Sequence, residues 1–294
     1  MSITSALFTG VSGLLNNGEA MNVIGNNIAN VNTVGFKGAR SLFSDRLSES
    51  IGNNSQVGKG VQLQTVQNLF TQGSSQSSEN VTDLSIQGNS FFALKSPVTA
   101  APVALQSGAY LSRAGAFHVD NNLYLVNPDG YQVLDTTGNP IQFSRTTGSA
   151  TTDFGKVTKV DPNGLITYLA SDGITLNYYN TTGAAGLPAL PANQAAVQKI
   201  AVVTASDPTA LSKLGGSLYQ ATADAGVPAA AFSIPDNQPN GTSEQVLSNS
   251  LEQSNVDMAN EFVKMIITQR AYSANSKTIT TTDQMTQEVL GLIR

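Results

Sequence analysis

The chain has 294 residues, which is enough to bury a core in one large or two smaller domains. Charged residues make up only 12% of it and aromatic residues 6%, the formal net charge is -5, and there is no cysteine. This balance excludes disulfides and thiolate metal sites, and without a basic surface interleaved with aromatic residues it excludes nucleic acid as a partner.

The first five residues lack the basic residues and the apolar run of a secretory signal. No stretch of the chain approaches the roughly 18 continuous apolar residues of a membrane span. We therefore predict neither a cleaved signal peptide nor membrane insertion.

Residues 1–36 predict an N-terminal helix with one apolar stripe, because Leu7, Leu14, Met21 and Ile28 recur at helical spacing. Glu19 is the only charged residue between Met1 and Phe36, so the opposite face is polar but uncharged. Four glycines inside the stripe each lower helix stability by about 1 kcal/mol relative to alanine. We expect this helix to depend on partners that pack against several of its sides.

The middle of the chain changes to short alternating strands separated by turn signals such as Asp129-Gly130 and Asn163-Gly164. Residues 37–70 predict an extended linker or joint. Residues 71–144 and 198–240 predict the two parts of an antiparallel β domain, with a small outer insertion at residues 145–197 between them.

Residues 241–294 predict a C-terminal helix running from about residue 247 to 293. Its first seam is a heptad line of Leu251, Met258, Met265 and Tyr272, and a second seam passes through Phe262 and Leu290. The predicted fold class is α+β: the N- and C-terminal helices pair as an inner coiled-coil layer, and an antiparallel all-β body lies outside them. The helices could pair within one monomer or between copies in a polymer, and we favour the polymer.

The sequence shows no pattern of a catalytic, metal or cofactor site. His118 is the only histidine and has the spacing of an ordinary strand residue, while the aspartates are scattered through turn sequences. Gly58-Lys59-Gly60 lacks the sequence context of a phosphate loop. We predict that the chain is not an enzyme; a secreted β-domain enzyme or an adhesin is the less favoured alternative.

Four segments in the same order resemble the rod and hook family of flagellar axial proteins. They are Asn26–Lys37, which holds the signature residues Asn30, Thr33, Gly35, Phe36 and Lys37, then Thr82–Phe92, Leu111–Phe117, and the pair Ser250–Asp257 and Gln269–Lys277. We expect Gly35 to adopt a left-handed conformation where the first helix stops.

The resemblance implies a helical homopolymer around a central channel in the extracellular hook or basal body. It also implies, as partners, rod and hook–filament junction proteins, the hook cap during assembly and the flagellar type III export apparatus. The short linker before Gly58-Lys59-Gly60-Val61 and the Ser206-Asp207-Pro208 segment favour the hook, the joint that transmits torque to the filament; the alternative is the distal rod. The predicted subunit-packing residues are Leu7, Leu14, Met21, Ile28, Leu251, Met258, Phe262, Met265 and Tyr272.

Overall fold

The computed structural model describes residues 3–46, 49–52, 55–98, 108–143, 153–179, 198–227, 232, 239, 241–242 and 244–292. Its contacts divide the chain into two compact units. The helical unit contains Met1–Val31, Lys37–Leu69 and Val256–Arg294, and the β unit contains Asn32–Phe36 and Phe70–Asn255. The predicted α+β class is confirmed, with both terminal helices in one unit.

The helical unit is built from two helices and two antiparallel strand pairs. Helix α1 is Ile3–Ala29 and helix α2 is Met258–Leu292; strands β1 (Ala39–Asp45) and β4 (Val61–Asn68) pair with each other, as do β2 (Glu49–Gly52) and β3 (Ser55–Val57). The segment predicted as an extended linker therefore forms hairpin strands. Its proposed role as a joint stays a prediction.

Helices α1 and α2 pack side by side in antiparallel orientation. A side chain at Gly10 would meet Ile279, one at Gly13 would meet Asn275, and Asn27 donates a hydrogen bond to Glu261. Residues later in α1 contact residues earlier in α2, so the two helices are antiparallel. The buried positions of α1 are the small or polar residues Gly10, Ser12, Gly13, Ala20 and Asn27, together with Ile24.

The polar face of α1 holds the β1–β4 strand pair. Asn27 Nδ2 donates to the carbonyl oxygen of Ala39 over 2.7 Å, and its Oδ1 accepts from the Ala39 amide over 2.9 Å. Asn16 Nδ2 donates to the carbonyl oxygen of Val61 over 2.9 Å, and the Ser12 hydroxyl oxygen accepts from the Val61 amide over 3.3 Å. The uncharged face thus satisfies the backbone groups at the first residue of each strand.

The C-terminal helix is shorter than predicted. It begins at Met258 instead of residue 247, because Gln245–Ser248 and Ser250–Glu252 form strands β18 and β19. Asp257 caps the helix, since its Oδ1 accepts from the amides of Ala259 and Asn260 at 2.9 and 3.3 Å. Likewise α1 ends at Ala29, well before Gly35.

The other strands of the chain lie in the β unit. They are β5 Ser75–Ser77, β6 Leu84–Gln87, β7 Phe91–Lys95, β8 Ala109–Ser112, β9 His118–Val119, β10 Leu125–Val126, β11 Gln132–Val133, β12 Phe154–Val160, β13 Ile166–Ala170, β14 Leu176–Tyr178, β15 Val202–Val203, β16 Ser212–Gly215 and β17 Leu218–Gln220. Eight of them form an antiparallel sheet in the order β16-β17-β8-β7-β11-β10-β9, with β15 also paired to β7. Strands β12, β13 and β14 form a second sheet, and β18 and β19 pair with β6 and β5.

Strand β7 lies at the centre of the β unit, with every residue buried. Phe92 and Leu94 point into one apolar cluster, while Phe91 and Ala93 point into another on the opposite face of the sheet. The first cluster also contains side chains of β12 and β13. The described part of the predicted insertion, residues 153–179, therefore belongs to the main core; the rest of it, residues 145–152 and 180–197, lies outside the described residues.

A buried ion pair attaches the C-terminal strands to this core. Glu252 on β19 lies 3.3 Å from the Arg113 guanidinium, and both side chains are almost fully buried. Glu252 also accepts from the Gly73 amide at 2.9 Å, and Arg113 donates to the Gly88 carbonyl at 2.6 Å. Burial lowers the pKa of Arg113, and the Glu252 carboxylate opposes that shift.

We predict that Arg113→Ala destabilises the β unit by about 3–5 kcal/mol, because it leaves the Glu252 carboxylate buried without its cation. Urea unfolding followed by tyrosine fluorescence measures the loss. The double variant Arg113→Met, Glu252→Met should recover most of it, since it removes both charges and keeps apolar volume. Equal losses in the single and double variants would contradict the role given to the pair.

Candidate functional site

The chain's one histidine and its acidic side chains form no metal site within the described residues. His118 is exposed on β9, and within the described residues no three histidine, aspartate or glutamate side chains are grouped to hold a metal ion. None of the helices in that part of the chain is long and apolar enough to cross a membrane. The candidate site is therefore a surface.

Helix α2 carries an apolar patch on two consecutive turns. We call it the α2 patch; it consists of Phe262, Val263, Ile266 and Ile267, which are 47% to 62% exposed. The spacing i, i+1, i+4, i+5 places the four side chains on one face of the helix. Contiguous exposed apolar side chains of this kind mark interaction surfaces.

Helix α1 has a corresponding apolar surface. Phe8 and Leu15 are seven residues apart on one face and are 74% and 63% exposed. The predicted packing residues Leu7, Leu14, Met21 and Ile28 are half-buried beside them. An open groove in the helical unit is lined by Leu14, Leu15, Met21 and Tyr272, among others.

The predicted packing residues of the C-terminal region occupy different places. Met265 is half-buried, while Tyr272, Met258 and Phe262 are 38%, 43% and 47% exposed. Leu251 lies on β19 in the β unit, half-buried and not on the helix. Their part in subunit packing stays a prediction.

The second seam of α2 runs one residue earlier than the predicted line through Phe262. Glu261 and Thr282 are buried on it, and Thr268 and Asn275 are half-buried. The predicted line follows large apolar residues, whereas the buried residues of α1 are mostly small or polar, with Ile24 among them. The signal that identifies the contact between the helices is the pair Gly10 and Gly13, whose missing side chains allow the close approach.

Three of the signature residues, Thr33, Gly35 and Phe36, lie in the β unit, where the two ends of the chain meet. Gly35 donates its amide to the Glu252 carbonyl over 2.8 Å, and the Phe36 carbonyl accepts from the Asn255 amide over 3.4 Å. Phe36 is buried, and the Lys213 ammonium lies 4.0 Å from the centre of its ring. Burial lowers the pKa of Lys213.

Gly35 has the left-handed conformation expected of it, with a φ of 67°. A Cβ atom there would lie 2.3 Å from the backbone nitrogen of Ala114, so glycine is required both by conformation and by space. Of the other signature residues, Thr33 accepts from the Phe36 amide through its backbone carbonyl, and the Asn30 side chain donates to the Asn26 carbonyl. Lys37 belongs to the helical unit and is fully buried.

Both ends of the chain match known families. The sequence model described as "Flagella basal body rod protein" matches residues 7–37, and "Flagellar basal body rod FlgEFG protein C-terminal" matches residues 247–292. The chain is 33% identical to the flagellar basal-body rod protein FlgG of Bacillus subtilis over 303 residues, covering 98% of this chain and 99% of the relative. The chain belongs to the flagellar rod and hook family.

Other members of this family match over different lengths. FlgG of Borreliella burgdorferi is 30% identical over 95% of each chain. The flagellar hook protein FlgE of the same organism is 38% identical, but the match covers 46% of this chain and 33% of the relative. These relatives are structural proteins of the flagellar rod and hook, so the resemblance inferred from the sequence is confirmed.

In this rod and hook family member, the two segments that match the family models contain Gly35 and Glu252, whose backbone groups are hydrogen-bonded to each other. We predict that Gly35→Ala destabilises the β unit more than Gly130→Ala does. Both glycines have positive φ, which costs alanine about 1–2 kcal/mol, but a Cβ at Gly130 would meet nothing within 4 Å. Thermal unfolding of the two variants measures the difference, and equal melting temperatures would show that the space at Gly35 is unimportant.

Proposed function

We propose that the chain is a structural subunit of the distal flagellar rod that assembles with copies of itself into a tube around a central channel. The observation that carries this proposal is length: two FlgG rod proteins align with 95% or more of the chain and of their own length. The match to the Borreliella burgdorferi hook protein leaves two thirds of that protein uncovered. The comparisons thus support the rod alternative better than the hook that the local sequence cues favoured.

The surface of the helical unit supports assembly with other copies. The α2 patch together with Phe8 and Leu15 of α1 presents six exposed large apolar side chains. Burying the exposed half of one such side chain stabilises a contact by about 1 kcal/mol. A helical polymer repeats that contact at every subunit, so modest contacts suffice.

We also propose which residues pack between subunits, which proteins the subunit contacts and how it reaches them. The half-buried stripe Leu7, Leu14, Met21 and Ile28, with Met265 and Tyr272, would pack between copies in the inner layer. The neighbours would be other rod subunits and hook proteins, and the chain would reach them through the flagellar export apparatus. A role in contact with the hook cap belongs to the hook alternative. No enzymatic step is part of this function.

Phe262→Asp tests assembly through the α2 patch. The side chain is 47% exposed in the single chain, so we expect unchanged circular dichroism and thermal unfolding of the monomer. Between copies the carboxylate would be buried without a partner, which costs several kcal/mol at each contact. We expect sedimentable polymer to be lost at protein concentrations where the wild type assembles.

Phe262→Leu is the matched control, because it keeps the position apolar at slightly smaller volume, and it should assemble. Electron micrographs of both variants would show whether the sedimented material is tubular. Normal tubes from Phe262→Asp would mean that this face of α2 meets water or the channel in the polymer.

Deletion of the gene in its own bacterium tests the choice between rod and hook. Basal bodies purified from the deletion strain should carry a shortened rod and no hook, as electron microscopy can measure. Complete rods that lack only the hook would favour the hook alternative. Complete rods with complete hooks would refute the axial function altogether.

A further inference from the structure

A buried polar pair lies inside the contact between α1 and α2. Asn27 is 3% exposed and Glu261 5% exposed, and Asn27 Nδ2 donates to Glu261 Oε2 over 3.1 Å. Glu261 Oε1 accepts from Lys264 Nζ over 2.6 Å, so the carboxylate has two donors. Asn27 uses its remaining hydrogen-bonding capacity on both backbone groups of Ala39. One side chain of α1 therefore ties α2 and β1 together.

The other residues in the contact between α1 and α2 do little to define how the two helices align along each other. Its buried residues on α1 include Gly10, Gly13 and Ala20, which have no side chain or a single methyl group. Large side chains that interlock define how two helices align, and this seam has few of them. Thr282 on α2 is buried too, but its hydroxyl donates to Thr278 of its own helix.

The unequal lengths of the helices allow an alternative register. Helix α1 has 27 residues and α2 has 35. If α2 slid by one heptad, about 10 Å at 1.5 Å per residue, Gly13 would move from Asn275 to Thr282 and α1 would still be opposite α2 along its length. Asn27 would then face Thr268 in place of Glu261. The slide would break the hydrogen bond from Asn27 to Glu261 and move Glu261 beyond the end of α1 at Ala29. A buried hydrogen bond to a charged group is stronger than one between neutral groups, so its loss disfavours the slide.

We propose that the Asn27–Glu261 pair fixes the register of the two terminal helices. A buried polar group at a core position is retained in coiled coils for the same physical reason: it penalises misaligned pairings more than it stabilises the correct one. The pair is a positioning device inside one chain. It goes beyond the proposed function, because a chain with a different assembly would need the same alignment.

The test uses the absence of cysteine from the chain. Cysteines at Gly13 and Asn275 report the native register, because these residues are in direct contact. Cysteines at Gly13 and Thr282 report the register that is shifted by one heptad; this variant also carries Asn275→Ala, so that a side chain at position 13 has room in the native register. Dilute full-length monomer is oxidised, and intramolecular disulfides are measured by mass spectrometry, so cross-links between copies are not counted.

With Asn27 and Glu261 in place, only the Gly13–Asn275 pair should cross-link. In the background Asn27→Leu, Glu261→Leu the proportion of Gly13–Thr282 cross-link should rise about tenfold, because the hydrogen bond that favours the native register is then absent. Thr268→Leu is the matched control: it adds an apolar residue to the same seam, leaves the pair intact and should keep the native cross-link alone.

Two results would overturn the proposal. If the double leucine variant still forms only the native cross-link, the register is set by the chain connections at residues 30–36 and 253–257. If it forms neither cross-link, the pair is needed for helix association itself. Glu261→Gln distinguishes a folding defect, since glutamine keeps the side-chain volume and an oxygen that accepts from Asn27; it should retain the native cross-link.

Discussion

The close approach of α1 and α2 at Gly10 and Gly13 is the contact on which the other properties of the helical unit depend. In most paired helices the large apolar residues fill the seam and charged residues face water. Here small and polar residues fill much of the seam, and Phe8, Leu15 and the α2 patch are exposed. A chain built in this way has a modest helical pair of its own and keeps its larger hydrophobic surface for other molecules.

The β unit obtains its stability in a different way. Strand β7 is buried on both faces, and aromatic contacts such as Phe92 with Phe117 and Phe143 with Phe154 fill the core. Its last strands, β18 and β19, come from residues 245–252, and its Arg113 is neutralised by Glu252. Because β18 and β19 directly precede α2 in the sequence, nearly the whole chain must be present before the β unit can fold completely.

Sequence patterns predicted the element types better than their limits. Helical spacing at Leu7, Leu14 and Met21 indicated α1, and alternation indicated the β unit. The predicted heptad line was wrong at Leu251, because this residue lies seven positions before Met258 but belongs to strand β19, while the true start signal, the capping Asp257, is polar. The strands in residues 37–70 were missed because their backbone ends are held by Asn16 and Asn27 of α1, a long-range interaction that no local pattern shows.

The candidate surface was predicted only in part, because local patterns do not show which side of a helix contacts its partner. Apolar spacing found the helices that carry it, but it could not separate residues that face the partner helix from those one position away, such as Glu261 and Phe262. The resemblance identified the family, and the local cues then favoured the hook. The extent of the match to whole rod proteins is a property of the entire chain, and no single motif carries it.

We propose that the apolar residues exposed on the helical unit are the contacts between copies. A helical reconstruction of the assembled polymer by electron cryomicroscopy would show the surroundings of each side chain. We expect Phe262 and Ile266 to be covered by a neighbouring copy, while Asn27 and Glu261 stay paired within one chain. A reconstruction in which the α2 patch lines the water-filled channel, with the copies joined through the β unit alone, would contradict it.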